Sequence, residues 1–267
     1  MNEIDKKLNQ LKEIIKAYGE VIVAFSGGID STFLTKIAFD VLKEKAVAVT
    51  LSTPQLPNNE LIEAKELAEE IGIKHIIIDV KNNDYSWFEN NPPDRCYICK
   101  KEALQAIKDF CKENNISGQI LEGSNYDDLD DYRPGFKAVK EHEVKSPLVE
   151  AKLTKSEIRA LAKKLDLVCW DKPASPCLAT RFLFGEKITP EKMQMVYIAE
   201  KYLRELGIKQ VRVRVHGVIA RIETTEEFFG ILIQSSKNIA NELKSIGFEY
   251  VTMDLAGYKK GSMNKEK

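Results

Sequence analysis

The sequence is poor in the features that commit a chain to a membrane, to nucleic acid or to a disulfide framework. No run of about 18 or more uncharged apolar residues occurs, so no transmembrane helix is expected. The opening Met1-Asn2-Glu3-Ile4-Asp5 carries acids rather than the basic start of a signal peptide, and the expectation is a cytoplasmic protein. A basic excess is missing. The 40 Lys+Arg against 41 Asp+Glu leave a formal net charge of −1, which argues against a nucleic-acid surface but not against local anion sites. Histidine is scarce. With three residues, none near another cysteine, a zinc site of about four ligands would be incomplete. The five cysteines, in a reducing compartment, point to thiols, metal binding or catalysis rather than to disulfides. There is no internal repeat and no low-complexity tract beyond the polar C-terminal tail.

What is present is an alternation. Short apolar runs fall at 21–25 (VIVAF), 46–52 (AVAVTLS), 74–80 (KHIIIDV) and 118–124 (GQILEGS). Helical periodicity fills 6–17, 31–43, 58–72, about 100–114 and 154–166 between and after them. Thr154 three residues before Glu157 predicts a capping box. Strands alternating with helices predict an α/β fold, a Rossmann-like parallel sheet with helices on both faces. The texture changes near 186. A long amphipathic helix (189–207), an alternating strand (210–215), a second strand (218–223) and a final helix and strand predict a small C-terminal α/β unit. The predicted domains are therefore 1–186 and 187–267.

The most informative stretch is Ser26-Gly27-Gly28-Ile29-Asp30-Ser31, between the first strand and its helix. A helix N-terminus offers unsatisfied N–H groups and the positive end of the helix dipole to an anion. Glycine lets backbone come close to a phosphate. Ser26 and Ser31 add hydroxyls, whereas Asp30 makes sense beside an anion only with a divalent cation, or else as a helix cap. No Gly-Lys-Ser/Thr follows, so this is not a Walker A loop.

These residues resemble the SGGxDS motif of the PP-loop ATP pyrophosphatases. In that superfamily the loop holds the pyrophosphate of ATP, which is cleaved to AMP and pyrophosphate to activate a carbonyl or carboxylate oxygen. Two further stretches, NPPDRCYICKK (91–101) and KPASPCLATRF (172–182), with EGSNYDDLDDYRPG (122–135) between them, resemble the LarE family over about residues 5–255. LarE proteins are ATP-dependent sulfur transferases that act on a pyridinium-3,5-dicarboxylate mononucleotide in the biosynthesis of a nickel-pincer cofactor. The resemblance implies ATP, Mg²⁺, a small nucleotide substrate and a homo-oligomer. It assigns Ser26, Gly27, Gly28, Asp30, Ser31, Gly123 and Asn125 to the nucleotide, with Ser124 beside them. Asp127, Asp128, Asp130 and Asp131 read as a hydrated loop from which one acid can help to hold Mg²⁺.

Cys111 lies on the apolar face of its helix with Leu104 and Ile107, and Cys169 sits among apolar neighbours, so both read as buried packing thiols. Cys96 and Cys99 form a C-x-x-C, which suits a shared metal or cluster. The rival is a redox disulfide, which normally opens a helix, whereas here the motif follows an irregular proline-containing stretch. Cys177, four residues before Arg181, sits in a loop where a positive charge can favour the thiolate, and reads as nucleophile, ligand or structural thiol. In the LarE family one branch has only the cysteine matching Cys177 and gives up its sulfur, becoming dehydroalanine. Another has cysteines matching Cys96, Cys99 and Cys177 and holds a [4Fe–4S] cluster. This chain resembles the second. Catalytic roles fall to Cys177 and Asp30, and cluster ligation to Cys96, Cys99 and Cys177.

Arg212 and Arg214 alternate on one strand and share a face, which reads either as solvated or as an anion clamp. The resemblance assigns Arg181, Arg212, Arg214 and Glu223 to the substrate, and Arg133 is a further anion-binding candidate. Two other readings stay open. One is the same ATP chemistry in a tRNA thiolase or PP-loop amidotransferase, against which the near-zero charge weighs. The other is a non-catalytic iron–sulfur or nucleotide sensor, against which the intact SGGxDS weighs.

Overall fold

The computed structural model describes residues 2–53, 58–80, 86–130, 133–172, 177–259 and 262–263. The chain divides into two compact units, Met1–Asn83 with Cys96–Ser175, and Asp84–Arg95 with Pro176–Lys267. The expected boundary near 186 differs from this division for a packing reason. Phe88 is buried in the second core, Asn91 Nδ2 donates to the Leu183 carbonyl at 2.6 Å, and Arg95 Nη1 donates to the Ala179 carbonyl at 3.3 Å. A short segment far back in the sequence is thereby drawn into the later unit.

In chain order the elements begin with α1 (Glu3–Tyr18), β1 (Val21–Ala24), α2 (Ile29–Leu42), β2 (Ala46–Ser52), α3 (Asn58–Ile71) and β3 (Lys74–Asp79). They continue with α4 (Ser86–Glu89), α5 (Arg95–Glu113), β4 (Gln119–Leu121), α6 (Gly135–Glu141), α7 (Pro147–Glu150) and α8 (Lys155–Lys164). The first unit holds a parallel sheet of order β3-β2-β1-β4 flanked by helices, the expected α/β architecture. Val21, Ile22 and Val23 are each at most 1% exposed, which explains why β1 is a continuous apolar run rather than an alternating one. Leu11 and Ile15 of α1, Phe33 and Leu34 of α2, Leu67 of α3 and Ile158 and Leu161 of α8 share its core. The predicted capping box at Thr154 and Glu157 is formed.

The sheet order decides where a ligand can sit. From β1 the chain steps outward to β2 and β3, then returns to place β4 on the other side of β1. Val21 pairs with both Ala46 and Gln119, so β1 and β4 run in parallel and their C-terminal ends open at the same edge. A crevice at such a reversal of strand order is where open α/β sheets bind ligands.

The second unit is built from α9 (Pro190–Glu205), β5 (Val211–His216), β6 (Ile219–Thr224), α10 (Phe229–Gln234), α11 (Ser236–Ile246) and β7 (Tyr250–Met253). β5 and β6 form the expected antiparallel hairpin across Gly217, and β7 adds in parallel to β6. Val196, Ala199 and Leu203 of α9 and Leu243 of α11 pack with Val211, Val213 and Ile222 of the sheet.

Candidate functional site

The Ser26–Ser31 loop occupies the crevice at the end of β1. Gly28 is the N-cap residue of α2 and contributes no side-chain cap, so Asp30 is not the cap but lies inside the first turn. Gly27 sits at φ +69°, a conformation that glycine adopts without strain. The two serines brace the turn. Ser31 Oγ donates to the Gly28 carbonyl at 3.0 Å and meets Ser26 Oγ at 3.1 Å. The N–H groups of the first turn of α2 have no intrahelical acceptor and are fixed in place for an anion. From the neighbouring strand end, Gly123 approaches so closely that a Cβ there would lie 2.9 Å from Ser31 N.

Acids and lysines meet beside this loop, where Lys172 Nζ donates to the Gly27 carbonyl at 3.4 Å. Asp30 Oδ2 is ion-paired with Lys155 Nζ, and Asp30 Oδ1 is buried with no hydrogen-bond partner among the described residues. Lys155 N donates to Asp127 Oδ2 at 2.8 Å, and Asn125 N donates to Asp128 Oδ2 at 3.0 Å. Arg133 Nη2 pairs with Asp128 Oδ1 at 2.5 Å. Burial pushes the Asp128 carboxyl up, the Asn125 N–H and Arg133 pull it back, and the Asp30 charge pushes it up again. Asp128 thus feels the charge of Asp30. The orphaned Asp30 oxygen beside a second carboxylate fits a hard divalent cation, which takes oxygen ligands. Asp131 lies outside the described residues, and Asp130 is exposed.

Glu122, the residue after β4, is a buried carboxylate that organises the same edge. It accepts from Ser124 Oγ at 2.8 Å, Ser146 Oγ at 2.5 Å and Lys100 Nζ at 3.1 Å. Burial alone would raise its carboxyl, but Lys100 and the two serines hold it below the ordinary carboxylate range. Lys100 follows Cys99 directly. Cys96 and Cys99 stand in the first two turns of α5, which starts at Arg95 rather than near 100, so the C-x-x-C does open a helix. Both thiols are exposed, as is Cys177, whereas Cys111 and Cys169 are buried as expected. Burial pushes the Cys111 and Cys169 thiols up. Among the described residues no group of three or more His, Cys, Asp or Glu side chains is placed to hold a metal ion.

In the second unit the arginines are not solvated. Arg181, Arg212 and Arg214 are 2%, 7% and 5% exposed. Arg181 forms a bidentate pair with Glu200, Nε to Oε1 at 2.8 Å and Nη2 to Oε2 at 2.9 Å, and Nη1 donates to the Cys177 carbonyl at 3.3 Å. Its fork thus serves the protein's own carboxylate, where an open anion site had been expected. Arg214 binds Glu223 Oε2 through Nε at 2.9 Å and Nη2 at 2.7 Å, and donates from Nη1 to the Thr180 carbonyl at 3.0 Å. Glu223 is fully buried and also takes Arg221 at 3.0 Å and Ser262 Oγ at 2.7 Å. Arg212 lies 5.5 Å from the Tyr258 ring. Burial and then the nearby Arg181 charge push the Arg212 guanidinium down, partly offset by Glu200. An anion delivered there would relieve that repulsion.

Sequence reasoning missed Lys155, Glu122, Glu200 and Arg221. Glu200 had a readable signal, because it falls four residues after Val196 and three before Leu203, an acid set in the apolar stripe of a helix.

The family model described as NAD synthase matches residues 2–118, the segment that contains the glycine loop. The pyridinium-3,5-bisthiocarboxylic acid mononucleotide synthase of Lactiplantibacillus plantarum is 40% identical over 267 residues, covering 99% of this chain and 96% of that protein. An uncharacterised protein of Synechocystis sp. is 40% identical over 264 residues, covering 98% of each chain. A glutamine-hydrolysing GMP synthase component of Archaeoglobus fulgidus is 26% identical over 218 residues, covering 76% of this chain and 69% of that protein. The loop geometry and a 40% identity that spans nearly the whole of both chains lead to one statement: this chain belongs to the LarE family of ATP-dependent PP-loop enzymes.

Proposed function

We propose that the protein activates a carboxylate of a pyridinium-3,5-dicarboxylate mononucleotide with ATP and converts it to a thiocarboxylate. The observation that carries the ATP half is the loop at the β1–β4 reversal, where the first-turn N–H groups of α2 lack intrahelical acceptors and the neighbouring Asp30 Oδ1 is buried with no partner among the described residues. There a carboxylate oxygen of the substrate attacks the α-phosphorus of ATP, the bond from that phosphorus to pyrophosphate breaks, and an acyl adenylate forms. The first-turn N–H groups of α2 and the helix dipole stabilise charge gathering on pyrophosphate. Asp30 and Asp128 would hold Mg²⁺, which when bound neutralises part of the phosphate charge. A sulfur nucleophile then adds to the acyl carbon, the carbon–oxygen bond to AMP breaks, and the thiocarboxylate remains.

The substrate half rests on the arginine cluster of the second unit. Arg181 and Arg214 are held by Glu200 and Glu223, and Arg212 beside them suits the phosphate or a ring carboxylate of such a mononucleotide. The sulfur half rests on three exposed thiols. Cys96, Cys99 and Cys177 would hold a [4Fe–4S] cluster whose open iron could carry an extra sulfide for transfer, and Cys96 and Cys99 have no task if Cys177 alone is consumed. Anaerobic purification with iron and sulfide analysis, followed by intact-mass measurement after turnover, tests this. About one cluster per chain and an unchanged Cys177 support it. A dehydroalanine at 177 formed in step with product refutes the cluster route in favour of sacrificial donation.

A further inference from the structure

Lys155 is a charged side chain beside the Ser26–Ser31 loop that the reaction above does not use. Its backbone is rigidly held. It opens α8 behind Thr154, whose N–H donates to Glu157 Oε2 at 2.9 Å, and Glu157 is itself tied to Lys7 at 2.7 Å. Lys155 N is fixed on Asp127 Oδ2 at 2.8 Å. Only the side chain is free to turn, and it reaches across 125 residues of sequence to Asp30. The pair is part-exposed, 31% at the lysine and 19% at the aspartate, so it is the weak kind of ion pair that can be given up. Lys155 also offsets the charge of Asp128. The Lys155 ammonium thus pairs with Asp30 and acts through its charge on Asp128.

We propose that Lys155 is a resident counter-ion: it holds Asp30 in the nucleotide-free protein, yields it to the divalent cation that arrives with ATP, and swings its ammonium onto the polyphosphate. The inference rests on the reading of the Ser26–Ser31 loop as the site of cation-bound ATP. An acid pair left bare would repel itself and capture stray cations. A lysine anchored at its backbone prevents both, and its charge stays in the site after the exchange. Lys155 is in this sense a positioning residue for Asp30 before ATP binds, and a phosphate contact afterwards.

The test uses Mn²⁺ as a spectroscopic stand-in, titrated by electron paramagnetic resonance against the full chain without nucleotide. Lys155→Met should bind Mn²⁺ about tenfold more tightly than wild type, because the competing charge is gone, and should bind Mn²⁺ with α,β-methylene-ATP about tenfold more weakly. Lys155→Arg should follow wild type in both titrations. Adding Asp30→Asn to Lys155→Met should erase the gain in Mn²⁺ affinity. If Lys155→Met loses the wild-type circular dichroism spectrum, Lys155→Gln is titrated in the same way. An uncharged, folded variant that binds Mn²⁺ no more tightly than wild type and keeps wild-type affinity for the analogue overturns the proposal. If the Lys155 variants overturn the proposal while Asp30→Asn alone still abolishes analogue binding, only the counter-ion role fails. Where Asp30→Asn keeps analogue binding, the reading of the loop fails with it.

Discussion

Gly123→Ala should damage the ATP end of the molecule far more than the addition of one methyl suggests. The new Cβ would stand 2.9 Å from Ser31 N, 3.1 Å from Ser31 Cα and 3.3 Å from Ser31 Cβ. Ordinary contact begins near 3.4 Å, so one side must retreat by about half an ångström (3.4 − 2.9 = 0.5). Two of the three atoms are backbone, so no rotamer change relieves the clash. Overpacking of this kind costs about 1–3 kcal/mol, which lowers the unfolding midpoint by roughly 2–12 °C. The retreat also displaces the N–H groups of α2 that the proposed reaction assigns to the pyrophosphate. A misplacement of roughly 1 Å can cost about a hundredfold in rate, so half of that should slow pyrophosphate release by about tenfold. Gly230→Ala is the control, because nothing lies within 4 Å of a Cβ there. It should leave both quantities near wild type. Calorimetry and a coupled pyrophosphate assay read the two effects. A Gly123→Ala protein with wild-type stability and wild-type pyrophosphate release would refute the claim that the end of β4 presses on the phosphate loop.

Asp30→Ala should abolish pyrophosphate release while leaving the circular dichroism spectrum intact, because Asp30 is polar, part-exposed and no member of the apolar core; near-normal release by the folded variant removes the loop from the mechanism. Arg212→Ala and Arg214→Ala should each weaken binding of the mononucleotide substrate by roughly 1.5–3 kcal/mol, the worth of a charge-assisted contact, with little change in ATP affinity by calorimetric titration. For Arg214→Ala a loss of stability is also expected, since the fully buried Glu223 loses one of its guanidinium partners. In iron-free protein, iodoacetamide should modify Cys96, Cys99 and Cys177 well before Cys111 and Cys169, whose thiols are buried and pushed up by that burial; peptide mass mapping over time shows the order.

The parts of this fold that were legible in the sequence are those set by local rules. VIVAF and AVAVTLS read as strands because a parallel strand buried on both faces must be apolar throughout. Thr154 and Glu157 read as a helix start because both bonds of a capping box lie within one turn. The start of α5 was misjudged because Pro92 and Pro93 suggest an irregular chain, yet Arg95 N bonds the Pro92 carbonyl at 3.0 Å and the helix begins there. Alternation in QVRVRV told correctly that the arginines share a face. It could not tell whether that face meets water or a second layer, and here it meets Glu223 and Tyr258. The pairs that define the site were the least legible. Lys155 with Asp30 and Arg181 with Glu200 join residues whose neighbours in sequence give no hint of one another, and only the tertiary fold brings them together.

The central claim is an ATP-driven exchange of oxygen for sulfur at a substrate carboxylate. It is tested most directly by incubating the anaerobically purified protein with Mg²⁺, ATP, a sulfide source and pyridinium-3,5-dicarboxylate mononucleotide, then resolving the products by mass spectrometry. The account predicts AMP, pyrophosphate and a monothiocarboxylate product in equal amounts, with none of the three formed when the mononucleotide is omitted. Cleavage of ATP to ADP, or AMP and pyrophosphate formed without any sulfur entering the mononucleotide, would contradict it.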